Sequence, residues 1–165
     1  MNQENKKQMN RYQLLQLLCD AEDGTVLPLL VTGMSMHPFL YHRRSIVYLE
    51  KNSAYVPAKW DIVFFVRPNM APVLHRVVGI KEDGTLIIKG DAQRWREEIR
   101  PEQILAHVTH IQRTGRKFSV EHKFYRFMVR LWMPFRWLHP PVSHAIFVMS
   151  RIPFKLSRKY REKHS

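Results

Sequence analysis

A serine hydroxyl attacks a carbonyl usefully only when a base removes its proton and hydrogen-bond donors wait for the oxyanion. The segment Thr32-Gly33-Met34-Ser35-Met36-His37-Pro38 places Ser35 directly after an apolar, β-branched run, with glycine two residues before it and proline three after. Gly33 permits a tight backbone approach and leaves Ser35 exposed at a strand's end, its own N–H free to donate. Ser35 is therefore the candidate nucleophile. Forty residues on, Val73-Leu74-His75-Arg76-Val77-Val78 sets one histidine in a β-branched strand. Alternation sends Val73, His75 and Val77 to one face and Leu74, Arg76 and Val78 to the other. An imidazole of ordinary pKa, about 6.5, is neutral enough at physiological pH to accept a hydroxyl proton, and predicts activity that rises with pH through about 6 to 7. The same histidine also fits a plain core position. Asp91 follows in Lys89-Gly90-Asp91-Ala92-Gln93. A hairpin could return it towards His75, where a carboxylate would hold the imidazole tautomer; the alternative is an Asx turn capping the next segment.

The elements that must position these residues are mostly strands. Short runs rich in Val, Ile, Phe and Tyr predict strands at Val26–Thr32, Ser45–Leu49, Ile62–Arg67, Val73–Ile80, Thr85–Lys89 and Ala106–Arg113. Lys81-Glu82-Asp83-Gly84 reads as a hairpin turn joining two of them, with Gly84 at positive φ. Pro101 opens a short turn or helix. Before this block, Leu14, Leu15, Leu17 and Leu18 lie at helical spacing over residues 9–22; after it, Phe124, Phe127, Met128, Leu131 and Trp132 do the same, stopped by Pro134. The expected fold class is mostly β (α+β), divided as 1–24 N-terminal helix and tail, 25–114 β domain and 115–165 basic amphipathic extension.

Four boxes in this order resemble a family. Gly33-Met34-Ser35-Met36-His37-Pro38 is similar to the Gly-x-Ser-Met-x-Pro nucleophile box of type I signal peptidases and LexA-type autoproteases, and Lys89-Gly90-Asp91 to the signal peptidase Lys-Gly-Asp box. His75-Arg76-Val77-Val78 resembles the strand bearing the base, a histidine in the archaeal and endoplasmic reticulum types. Trp60-Asp61-Ile62-Val63 resembles the intervening Gly-Asp-(Ile/Val)-Val strand, with Trp60 where that pattern has glycine. The likeness covers residues 26–113. It implies a signal peptidase-like β fold and a serine endopeptidase with Ser35 as nucleophile, His75 as base and Asp91 organising the base. Asp61 would be structural. Gly33, Thr32 and Met36 would line the oxyanion and substrate-binding wall, Thr32 supplying the hydroxyl that Gly33 lacks. Ala92 and Gln93 stand where asparagines often follow Gly-Asp.

Charge divides the chain unequally. Residues 1–112 carry 14 Lys/Arg against 12 Asp/Glu, and residues 113–165 carry 13 against 2. The second part is expected to seek an anionic membrane surface, Trp132, Phe135, Trp137 and Phe147 entering it while Arg126, Arg130, Arg136 and Arg151 meet phosphates. Nucleic acid is a weaker reading, resting on charge alone. No secretory leader is visible, and Trp137–Ser150, the longest nearby stretch free of charged residues, is interrupted by Pro140 and Pro141 and is short of the roughly 20 residues of a span. These features predict a cytoplasmic protein, peripheral at the membrane. The single Cys19 excludes an internal disulfide, and no His, Cys or Glu spacing suggests a metal, so no cofactor is expected. The expected partner is a leader or precursor peptide. The alternative is a LexA-type self-cleaving or regulatory protein, weakened because only 34 residues precede Ser35 and the sole Xaa-Gly before Gly33 is Asp23-Gly24, or a catalytically degenerate binding module.

Overall fold

A computed structural model of the chain describes residues 11–134. In chain order the elements are α1 (Arg11–Asp20), β1 (Val26–Leu30), β2 (Ser45–Glu50), β3 (Ile62–Val66), β4 (Pro72–Ile80), β5 (Leu86–Lys89), β6 (Glu97–Ile99), a 3-10 turn at Pro101–Gln103, β7 (Ile104–Arg113), β8 (Arg116–Ser119) and α2 (Lys123–Trp132). The fold is mostly β: one antiparallel sheet runs β1-β2-β7-β3-β4-β5-β6, and β8 pairs β7. β7 is long enough to hold β2 along one edge and, on the other, β3 beside residues 104–107 and β8 beside residues 110–113.

Alternation along the strands loads both faces of this sheet. On one face Val47, Leu49, Ile62, Phe64, Ala106 and Val108 pack with Leu14, Leu15 and Leu18 of α1 and Tyr125 and Val129 of α2. On the other, Val63, Phe65, Val77, Leu86, Ile88 and Ile99 form a smaller core. The N-terminal helix and the start of the basic extension therefore share the main core with the β domain. The boundary expected near residue 114 does not separate a packing unit, because β8 continues the sheet through a turn at Thr114-Gly115 and α2 folds back onto it.

All six expected strands form, with ends shifted by up to two residues, and β4 and β5 pair as an antiparallel hairpin with Gly84 at φ +82°. β6 and β8 were not expected. Each is short and strongly charged, so neither carries an apolar alternation. α2 departs differently from its expected arrangement. The stripe Phe124, Phe127, Met128 and Leu131 faces outward, and the helix is held down by Tyr125, Val129 and, turned inward, Trp132. Trp132 is thus half-buried against the main core, off the outward stripe. Arg126 pairs with Glu121. Phe135, Arg136, Trp137, Phe147 and Arg151 lie outside the described residues. No described helix is long and apolar enough to cross a membrane.

Candidate active site

Ser35 and His75 line one cleft of about 610 Å³. Its walls are the backbone from Pro28 to Gly33 and the first half of β4, Pro72 to His75, with Leu14 and Met36 contributing apolar surface. Two open strand edges face it. Val31 N–H donates to Ser45 O at 2.9 Å, so alternation turns Pro28 and Leu30 away from β2. Pro28, which has no N–H to offer, sits where a strand tolerates proline. Across the cleft, Val77 N–H donates to Asp61 O and its carbonyl accepts from Trp60 N–H, both at 2.8 Å, so Leu74 turns away from β3. β5 pairs β4 only from Arg76 onward. Leu30 and Leu74 therefore present unpaired backbone on opposite walls.

The loop carrying Ser35 is fixed from beneath. Met36 is buried in the main core, so its part in the cleft wall is packing rather than oxyanion binding. Gly33 adopts φ +104°, and its N–H donates to His42 Nδ1 at 2.8 Å, which removes it as an oxyanion donor. No hydrogen bond among the described residues engages Ser35 N–H, and Thr32 is exposed beside it. Ser35 O accepts Ala92 N–H at 2.8 Å. Gly90 makes that docking possible: a Cβ there would stand 2.7 Å from Ser35 O and 2.6 Å from Gln93 Oε1.

Asp91 is not beside His75. It forms a bidentate pair with Arg76, Nε to Oδ1 and Nη2 to Oδ2 both at 2.7 Å, and both side chains are almost wholly buried. The cause is strand parity: Arg76 and His75 are adjacent and point to opposite faces, and Asp91 returns on the Arg76 face. The guanidinium is completed by Trp60 O at 2.7 Å and Tyr125 Oη at 3.0 Å. Trp60, where the resembling pattern has glycine, takes φ +84° to present that carbonyl. Asp61 accepts Tyr55 O–H at 2.6 Å and Ala58 N–H at 3.0 Å, which ties its carboxylate to the loop before β3.

The carboxylate that does meet His75 is Glu97 of β6, with Oε1 at 3.4 Å from Nδ1 and no well-aligned hydrogen bond formed. Glu97 is itself held by Arg67 through contacts of 2.5 and 2.6 Å. Nδ1 is the ring nitrogen buried on the Glu97 side. Burial pushes the His75 pKa down to about 4; Glu97 opposes that shift and Arg67 adds to it. This corrects the value of about 6 to 7 expected from an ordinary imidazole. Arg67 in turn holds the Glu97 carboxyl below its usual range. No hydrogen bond joins Ser35 Oγ to the imidazole among the described residues. Among the described residues no group of three His, Cys, Asp or Glu side chains is placed to hold a metal ion.

Neither Glu97 nor Arg67 stands out in the sequence. Glu97 lies in Trp95-Arg96-Glu97-Glu98, which reads as an exposed charged run, and only the pairing of β6 with β5 brings it near His75, beyond the point where β5 pairs β4. Comparison with protein-family models, with curated proteins and with solved structures returns no match to this chain.

Proposed function

We propose that this protein is a serine endopeptidase of the signal peptidase-like kind, in which Ser35 and His75 act as a dyad on an extended leader or precursor peptide. The observation that carries the reading is that a serine with an unengaged N–H and a buried, neutral histidine line one cleft between two open strand edges. An extended peptide adds to such edges through its main chain, and alternate side chains enter the apolar wall. As Ser35 Oγ attacks the scissile carbonyl, His75 Nε2 takes its proton. The resulting oxyanion meets Ser35 N–H and the Thr32 hydroxyl. Collapse breaks the C–N bond, and His75 returns the proton to the leaving amine. Water then attacks the acyl ester with His75 again as base, which frees the new carboxyl end and restores Ser35. Glu97 is a positioning residue for the imidazole. Asp91 is a structural partner of Arg76.

For a LexA-type self-cleaving reading, the candidate bond Asp23-Gly24 lies in the turn before β1 and is not among the residues lining the cleft. The test is a mixture of synthetic peptides incubated with purified protein and read by mass spectrometry. The reading requires cleavage by the wild type and none above background by Ser35→Ala or His75→Ala, with both variants folded. Cleavage by Ser35→Ala at the wild-type rate contradicts it.

A further inference from the structure

One face of α2 is apolar and uncovered. Phe124, Phe127, Met128 and Leu131 are 67, 59, 39 and 50% exposed, although they recur at i, i+3, i+4 and i+7 as core residues do. On a 3.6-residue turn the helix divides into three faces roughly 120° apart. Tyr125, Val129 and Trp132 point inward, the four apolar residues form a second face, and Lys123, Arg126 and Arg130 form the third. A single exposed apolar side chain needs no explanation, whereas four contiguous ones with two phenylalanines form a binding patch.

Charge selects the occupant. Lys123 and Arg130 are exposed along the rim of the stripe, and residues 113–165 hold 13 Lys/Arg against 2 Asp/Glu. A second copy of the chain would bring the same cationic rim and so would meet repulsion. An anionic bilayer satisfies both faces together: apolar side chains enter the headgroup and acyl boundary, and Lys and Arg settle among phosphates. We propose that α2 lies in the plane of an anionic membrane surface, docked through Phe124, Phe127, Met128 and Leu131.

The inward face decides what this docking orients. Tyr125 Oη accepts from Arg76, the Trp132 indole N–H donates to Asp91 O at 3.2 Å, and Ala92 N–H donates to Ser35 O at 2.8 Å. α2 is thereby fastened to the loop beneath Ser35, and a docked helix holds the cleft at a set attitude to the bilayer. The docking stands independently of the peptidase reading. Its test therefore uses the full chain carrying Ser35→Ala, sedimented with vesicles of phosphatidylglycerol and phosphatidylcholine, with vesicles of phosphatidylcholine alone, or mixed with duplex DNA. Partitioning is expected onto the anionic vesicles, reduced at least about tenfold by Phe127→Ser with Leu131→Ser and by Phe124→Ser with Met128→Ser. All four positions are exposed, so melting temperatures should hold, and agreement between the two pairs guards against one of them misfolding. Failure to bind anionic vesicles, or binding by both paired variants equal to the parent, overturns the proposal. Binding of DNA alone overturns it also.

Discussion

His75 is governed by where its ring is buried rather than by its residue type. Its side chain is 3% exposed, beside Phe65, and charging it there forfeits hydration. A base must be neutral to accept a proton, so the rate should rise as pH climbs through the His75 pKa and reach its plateau early, with a midpoint near 4 rather than at 6 to 7. A pH–rate profile on any cleaved peptide checks this. The neighbours set the direction of two further shifts. Glu97 raises the pKa, so Glu97→Gln should move the midpoint lower; Arg67 lowers it, so Arg67→Gln should move it higher. Histidine NMR titration of each variant reads these shifts directly, and an unchanged His75 titration in Glu97→Gln would remove Glu97 from the site. Ser35 and His75, which line one cleft, stand out in sequence because each sits in a distinctive local box. Glu97 does not, since a carboxylate 22 positions from His75 becomes its neighbour only through the pairing of two hairpin strands and a third.

At the scale of elements, one close approach places the loop that carries Ser35. Gly90 lets the Lys-Gly-Asp loop approach Ser35 O, so Gly90→Ala must push the two loops apart and should slow Ser35 chemistry without touching substrate. The paired readout is acylation rate against melting temperature: equal acylation in the variant would show that the close approach has no role. Asp91 belongs to stability. Removing one partner of a buried ion pair leaves the other charge uncompensated, at a cost of about 3 to 5 kcal/mol. Asp91→Asn should accordingly lower unfolding free energy by an amount of that order, measurable by denaturant titration, whereas a purely kinetic defect would return Asp91 to the base. The Lys89-Gly90-Asp91 motif was legible as a site element, but its partner was not. The alternation that placed His75 on one face also placed Arg76 on the other, and that parity decides which side chain Asp91 meets.

The whole molecule combines a mostly β sheet, read correctly from β-branched runs and turns, with two features that pattern alone concealed. The helices at either end join the main core instead of forming appendages, because their inward leucines, Tyr125 and Val129 complete the sheet face. The sheet also brings β1, at one end of the strand order, across from the free half of β4, so the cleft is a product of curvature between segments distant in sequence. Two buried histidines and one half-buried one give the molecule an acid liability. His37, His75 and His107 all have pKa values lowered chiefly by burial, so each is neutral in the fold while the unfolded chain begins to take up protons near its ordinary value, about 6.5. Stability should be level above neutrality and fall as pH drops from about 6.5 towards 4, with a denaturant midpoint series across that window as the check. The central claim, that Ser35 is a nucleophile activated by His75, is tested most directly by exposing the folded protein to a fluorophosphonate and mapping the adduct by intact-mass and peptide mass spectrometry. A working dyad gives one adduct, on Ser35, absent from Ser35→Ala and formed at least about a hundredfold more slowly in His75→Ala. No adduct on Ser35, or labelling of His75→Ala at the wild-type rate, contradicts it.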